Sequence, residues 1–434
     1  MPLRILLAAI GSAGDVNPVI GIGRALRARG HRVALATNEI FSNRVQDNGL
    51  EFIELGTRAE AETVMNDPRL WHPRRGFPCI VEHALLPNLK RLHAIVSERR
   101  GPGCVVAATT LCLGARVAQD ALGVPTATLH LQPSVIRSHI DNGRLGGITM
   151  GPGMPRLVKR ALFWAMDTFY VERLIGPELN RFRSRLCLPP VKGIFSRYVH
   201  SPDLVLGLFP EWFAPPQADW PANTHLTGFV LHDQGGEAPA YAEADLFLEG
   251  GPPPIVVTPG SAATDRHGFF RHAVKACERA GFRAMLVTNH PAQLPERLPE
   301  GIRAFPYLPF SRILPRCRAI VYHGGIGTLA QALHAGIPHL IVPNAHDQPD
   351  NGRRIERMGL GLCLSGRAFG AGAAGRAIAR LTGDRQIRER CRDYARRIDG
   401  AAAAERSCIL IERLGRDPQG PMNPKGPLRP LKDR

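Results

Sequence analysis

Ala319-Ile320-Val321-Tyr322-His323-Gly324-Gly325-Ile326-Gly327-Thr328 holds a strand, a turn and a helix start within ten residues. Ala319 to Tyr322 is an uncharged run containing two β-branched residues, which predicts a buried strand. The glycines then let the backbone turn tightly and come close to a ligand, and the helix they open presents free amides and a positive dipole end. No Gly-Lys-Ser/Thr follows, so this is not a Walker A loop, and the spacing is not G-x-G-x-x-G. Taken alone, the turn fits a phosphate cradle and a plain strand-to-helix connection equally well.

The same alternation continues on both sides of it. In the second half, Ile255 to Thr258, Ala284 to Thr288, Ile302 to Phe305 and His339 to Val342 are further strand candidates. In the first half, Leu3 to Ile10, Arg32 to Thr37, Glu51 to Leu55, Val105 to Thr109 and Thr126 to Leu131 repeat the pattern. Pro18 to Arg29 reads as a helix with Asn17 as N-cap, closed by Gly30. Strands that alternate with helices and lack polar alternation imply an α/β protein with parallel sheets covered on both faces. With 434 residues two domains are expected. The Pro-, Gly- and acid-containing stretch from Gln234 to Pro254 divides them. The expected layout is a domain over 1–233, a linker over 234–254, a second domain over 255–414, and a flexible basic tail over 415–434.

Ligands of doubly wound sheets bind beyond the carboxyl ends of the strands, so the loops there are the candidate site. Thr258-Pro259-Gly260-Ser261 brings hydroxyl and amide donors to the same edge as His323. Asp347-Gln348 ends the loop after the strand at 339–342, where a carboxylate beside a carboxamide suits a polyol; its other reading is an N-cap. In the first domain the matching edge is Gly11-Ser12-Ala13-Gly14-Asp15. Asp15 there is either a carboxylate favoured by a helix dipole or a base facing the phosphate site across the cleft.

Composition removes several classes. There are 55 Lys and Arg against 38 Asp and Glu, a net charge of +17. That excess suits an anionic substrate, membrane surface or nucleic acid. It is spread thinly, aromatics are only 6%, and no zinc-finger or RNP-like segment occurs, so nucleic acid is not an expected partner. Nine cysteines without a CxxC pair read as reduced thiols of a cytoplasmic protein. The longest apolar window, Cys104 to Ala115, is too short to span a membrane. Arg4 and Ile5 to Ala9 loosely resemble a signal peptide, but cleavage there would destroy a strand-loop-helix unit. Between 140 and 200 the alternation breaks: Arg156 to Arg185 mixes Arg and Lys with Leu162-Phe163-Trp164 and Phe169-Tyr170. It predicts one or two amphipathic helices, either packed on the core, walling an acceptor site, or meeting lipid.

Three of these segments together resemble the family 1 glycosyltransferases of the GT-B class. His323 to Thr328 matches that family's diphosphate-binding H-x-G-x-G/N-T/S segment, Asp347-Gln348 its donor-sugar pair, and Gly11-Ser12-x-Gly14-Asp15 the loop that carries the base in the bacterial branch. A closer resemblance is to the rhamnosyltransferases of rhamnolipid biosynthesis. It rests on Ala9 to Val16, Asp67-Pro68-Arg69-Leu70-Trp71, Trp212 to Gln217, Gly324 to Gly327 and Ala345-His346-Asp347-Gln348.

The resemblance implies a GT-B fold of two Rossmann-like doubly wound domains facing across a cleft. It implies transfer of L-rhamnose from dTDP-L-rhamnose to the hydroxyl of a 3-(3-hydroxyalkanoyloxy)alkanoate, with a sterol, macrolide or other polyketide acceptor as the alternative. Asp15 would be the base. Ser261, His323 and the amides of Gly325, Ile326, Gly327 and Thr328 would meet the donor diphosphate, Ser12, Gly14 and Gly324 would also bind the donor, Asp347 and Gln348 would hold the sugar, and the nucleobase would lie against Tyr307 and Leu308. In plant members an acidic residue eight positions beyond the motif histidine holds the ribose; here Gln331 stands there, consistent with a deoxyribose donor. No DxD occurs, so no metal and no cofactor are implied. The lipid-like hydroxy acid and the basic, apolar 150–200 segment imply peripheral contact with the inner face of the cytoplasmic membrane. Two other readings stay open: a sugar-nucleotide epimerase of the same architecture, and a noncatalytic partner of another glycosyltransferase.

Overall fold

The computed structural model describes residues 2–145, 148–233, 239–260 and 267–417. The first sheet contains β1 (Arg4–Ala8), β2 (Arg32–Thr37), β3 (Glu51–Glu54), β4 (Cys104–Thr109), β5 (Thr126–His130), β6 (Leu204–Gly207) and β7 (Thr224–Leu226), in the order β3-β2-β1-β4-β5-β6-β7. The second contains β8 (Ile255–Thr258), β9 (Ala284–Val287), β10 (Ile302–Phe305), β11 (Ala319–Tyr322), β12 (His339–Ile341) and β13 (Gly361–Cys363), in the order β10-β9-β8-β11-β12-β13. Every pairing within these two sheets is parallel. Helices cover both faces, so a strand such as β4 is buried at all of its positions. That is why its sequence shows no alternation.

In each sheet the chain winds outward from its first strand, then returns to start again on that strand's other side. The connections leaving β1 and β4 therefore diverge, as do those leaving β8 and β11, and each pair opens a crevice at its carboxyl edge. The two crevices face one another. Buried apolar residues run without a break from β1 through Phe209, Phe213 and Phe229 into the second sheet, so the two halves share one core.

Helix α1 (Ala13–Ala28) starts earlier than the Asn17-Pro18 start expected from sequence. Ser12 is the N-cap: its Oγ accepts from the Gly14 N–H at 3.3 Å, while Asp15 accepts from the Ser12 N–H at 2.8 Å. This reciprocal pair outcompetes the Asn-Pro signal and leaves Pro18 inside the helix. Proline has no N–H, so the Gly14 carbonyl loses its usual helical donor.

The 156–185 stretch forms α2 (Arg156–Met166) and α3 (Glu172–Arg185), joined by one π turn at Asp167–Val171. Phe163, Val171, Ile175 and Leu179 are buried, whereas Leu157, Trp164 and Phe169 face outward. The phosphate-loop helix is α4 (Ile326–Ala335), and α5 (Gln348–Arg357) follows the donor pair. Within the stretch expected as a linker, Pro239–Glu249 is helical. The last helix, α6 (Gly400–Arg416), returns to pack beside α1 and β4. Of the tail expected over 415–434, residues 418–434 lie outside the described residues. Among the described residues no helix is long and apolar enough to cross a membrane.

Candidate active site

The facing crevices form one cleft of ≈ 1480 Å³, lined by Ser12, Gly14, Asp15, His323, Gly325, Ile326, Gly327, Thr328, Asp347 and Gln348. Ten of the fourteen residues singled out from sequence thus meet in one place. Gly324 lies just behind the lining, against Ile341 and Gln348. Leu308 is buried and Tyr307 packs partly buried on the same core; neither lines the cleft. Ser261 lies outside the described residues.

The N-termini of α1 and α4 meet head to head across the cleft. A Cβ on Gly327 would stand 3.0 Å from the Gly14 Cα, so the close approach favours glycine at 327, whereas a Cβ on Gly14 would have room. The first turn of α4 has Gly325 as its cap, which has no side chain to bond it, and the Asp347 carboxylate accepts from the Ile326 amide. The next amides of that turn and the dipoles of both helices point to the same region, which favours a diphosphate. The His323 ring is 9% exposed and packs against Gly260 and Gly325, at the mouth of this region.

Asp15 stands in the first turn of α1. Its Oδ2 accepts from the Ser12 N–H at 2.8 Å and the Ser12 hydroxyl at 3.0 Å. Both bonds use Oδ2, so Oδ1 is the oxygen able to take a proton. Burial raises the Asp15 pKa above the usual carboxylate value, and the two bonds from Ser12 oppose that rise. The capping role and the base role expected for this residue are therefore compatible.

Asp347 is the N-cap residue of α5 but its side chain makes no capping bond. Its Oδ2 accepts from Asn351 Nδ2 at 2.7 Å. Burial, followed by the negative charge of Asp15, pushes its pKa up to about 7. Gln348 Oε1 accepts from the Asn344 and Ala345 amides at 2.8 and 3.4 Å, which leaves its NH2 group to donate into the cleft.

Several lining residues were not singled out from sequence. Asn289, after β9, reaches the cleft instead of Tyr307. Thr110 lines it and its Oγ1 pairs with His130 Nδ1 at 2.8 Å, while His130 Nε2 pairs with His200 Nδ1 at 2.9 Å. Burial lowers the pKa of both histidines, that of His200 to about 4, so the chain of groups is neutral at pH 7. Gln331 is buried in α4 and is not part of the lining. The N-terminal half of the cleft carries an apolar stretch of Met65, Trp71, Phe77, Ile80, Met166 and Tyr170, with Arg44, Glu60, Arg74 and Arg137 also lining it. Met166 and Tyr170 come from the amphipathic 156–185 segment, which therefore does form one wall.

This arrangement offers an anion site, a polyol pair and a carboxylate base opposite an apolar chamber. Residues 5–138 match the glycosyltransferase family 28 N-terminal domain, and residues 284–405 match the erythromycin biosynthesis protein CIII-like C-terminal domain. The chain is 31% identical to the O-mycaminosyltylonolide 6-deoxyallosyltransferase of Streptomyces fradiae, across 94% of this chain and 97% of that one. It is 26% identical to the vancomycin aglycone glucosyltransferase of Amycolatopsis orientalis, across 96% and 98%. The fold is that of the kitacinnamycin glycosyltransferase structure, with a TM-score of 0.72 at 20% identity, covering 95% of this chain and 99% of that one. With the switch-point cleft, the paired helix N-termini and the Asp347-Gln348 pair all in place, the chain belongs to the family 1 GT-B glycosyltransferases and is a glycosyltransferase.

Proposed function

We propose that this glycosyltransferase moves a 6-deoxyhexose from a dTDP-activated donor to a hydroxyl of a macrolide or similarly large polyketide, inverting the anomeric centre without a metal. The observation that carries the reading is the pairing of Asp15 and Asp347 across a cleft of ≈ 1480 Å³ with an apolar stretch in its N-terminal half. That volume exceeds the roughly 300–1,000 Å³ of an ordinary small-molecule pocket, which suits a nucleotide sugar and a bulky acceptor together. The Streptomyces relative supports the deoxyhexose and the macrolide, since its name specifies a 6-deoxyallosyl group and O-mycaminosyltylonolide.

In the proposed step the acceptor hydroxyl loses its proton to Asp15 as its oxygen bonds to the anomeric carbon from the face opposite the nucleotide. The bond from that carbon to the β-phosphate oxygen breaks, and dTDP leaves carrying the electron pair. His323 and the first-turn amides of α4 beyond Ile326 meet the charge that grows on the diphosphate. Asp347 and Gln348 hold the sugar hydroxyls. Asp15 must be ionised to act, so the raised pKa brings it closer to the working pH of a general base.

A second reading keeps dTDP-L-rhamnose and a 3-(3-hydroxyalkanoyloxy)alkanoate. Arg74 favours it, because this exposed guanidinium lines the apolar chamber and suits the acceptor's carboxylate. The outward-facing Leu157, Trp164 and Phe169 would suit peripheral contact with lipid in that case. The test is a matrix of dTDP-6-deoxyhexoses against macrolide aglycones and hydroxyalkanoyloxyalkanoates, with and without EDTA, followed by mass spectrometry. Glycosylated macrolide insensitive to EDTA is the expected product; glycolipid alone would replace the first reading with the second.

A further inference from the structure

We propose that His346 is the positioning residue through which the N-terminal half sets the donor-sugar pair, and that its contact with residues 70–76 keeps water from the activated donor. The inference rests on glycosyl transfer as such, whichever sugar and acceptor are used.

His346 has φ 60°, in the left-handed region that costs a non-glycine residue on the order of 1–2 kcal/mol. Something must hold it there. Its Nε2–H donates to the Leu70 carbonyl at 3.1 Å, and Trp71 meets its ring edge-on with centroids 5.6 Å apart. A carbonyl only accepts, so Nε2 carries the hydrogen. Both partners belong to the N-terminal half, whereas His346 directly precedes Asp347 and Gln348. Gln348 in turn ties its carboxamide to the Asn344 and Ala345 amides, so residues 344–348 form one closed unit. Whatever holds His346 therefore holds the pair.

The partner side is built to receive it. The Leu70 carbonyl stands over Gly76, where a Cβ would lie 2.3 Å from that oxygen and 3.1 Å from His346 Cε1. Arg69 anchors the segment: it donates to Asp67 at 2.7 Å, to Glu82 at 3.0 Å, and lies 3.0 Å from His83 Nε2. Its guanidinium lowers the Asp67 pKa to about 2. Asp67, Cys79 and His83 converge closely enough to suggest a cation site. The Arg69 guanidinium already supplies their positive charge, so the cluster reads as a brace. When the halves separate, His346 loses the carbonyl and the ring that pay for its backbone, and it can relax and carry Asp347 and Gln348 off the sugar. Meeting of the halves completes the sugar site and closes that wall of the cleft in one event.

The test compares His346→Gly and His346→Gln in the full-length enzyme. Glycine suits the left-handed backbone and removes the contact; glutamine restores an N–H near the position of Nε2. The Gly variant is expected to keep its Tm, to lose about tenfold in transfer kcat, and to raise the ratio of donor hydrolysis to transfer by about tenfold, the scale of a small misplacement in the site. The Gln variant should recover most of both. Wild-type ratios in the Gly variant overturn the inference, and so does a loss that tracks a lower Tm and is not rescued by Gln. Hydrogen exchange is a readout that needs no donor: amides of 70–76 should exchange faster in the Gly variant, and unchanged exchange overturns the inference. Failure of the wild type on every dTDP-sugar would instead sink the donor proposal and leave the exchange result to decide this one.

Discussion

Asp347 keeps its proton to about pH 7 in the folded chain because it is buried and faces Asp15. In the unfolded chain it ionises near its ordinary value of 3.8. Between those values the folded state binds the extra proton, so this group makes the ligand-free enzyme less stable as pH rises from about 4 to about 7. Asp347→Asn removes that dependence. The variant should melt higher than wild type at pH 8 and no differently at pH 4, while losing donor affinity; thermal melts at the two pH values and dTDP-sugar titration check it. An unchanged difference between pH 4 and pH 8 would show that Asp347 is not the group responsible. Asp15→Asn tests the same pair from the other side. It removes the like charge, so the Asp347 pKa should fall, a change that carboxyl NMR titration reads directly. If Asp15 is the base, transfer should drop by about 10²–10⁴-fold while dTDP still binds.

Ser12 shows how a helix start and a reactive group are made from the same atoms. Its hydroxyl accepts from the Gly14 amide and donates to Asp15, so it caps α1 and favours the ionised carboxylate together. Ser12→Ala should cost about 1 kcal/mol of stability, the usual value of an N-cap. It should also raise the Asp15 pKa further and move the acid limb of the pH–rate profile to higher pH. A stability loss with an unmoved limb would separate the cap from the base. The same helix marks where sequence reading stopped. Asn17-Pro18 is a sound helix-start signal, but the Ser12–Asp15 pair is stronger and local propensity cannot rank the two. The central strands were legible because burial on both faces leaves an unbroken apolar run; β2, β8 and β11 have the expected bounds, as does the edge strand β10. The interior strand β6 and the edge strands β7 and β13 were not among the expected strands: β7 and β13 have only three residues and are partly exposed, and β6 is a four-residue run outside the helix-strand alternation that located the others. Most of the site was legible from the loops after β1, β11 and β12. The role of His346 was not, because it depends on a carbonyl supplied by Leu70, far away in sequence, and on a backbone conformation that no residue pattern announces.

The last helix joins the two halves of the molecule. Although α6 follows the second sheet in sequence, it lies against the first, and Glu412 is buried there at 4% side-chain exposure. Glu412 accepts from Arg29 Nε at 2.5 Å and Nη2 at 3.0 Å, and pairs with His31 Nε2 at 2.9 Å. His31 Nδ1 accepts from the Leu3 amide at 3.0 Å, so Nε2 carries the hydrogen and donates to Glu412. Arg406 extends the seam by donating to the Thr227 carbonyl at 2.8 Å. Fastening the C-terminal helix to β1 and α1 ties the end of the second half to the element that carries the base loop, and so bears on the width at which Gly14 meets Gly327 when the halves are together. Glu412→Ala leaves His31 and Arg29 without their acceptor and should cost about 3 kcal/mol, the penalty for breaking a buried pair. Glu412→Gln keeps an acceptor oxygen and should cost less. Denaturant unfolding measures both. A loss below about 1 kcal/mol for Glu412→Ala would put the pair with exposed salt bridges and remove α6 as the fastening. A full loss with wild-type donor affinity in the folded fraction would show that α6 sets stability without setting the width of the cleft.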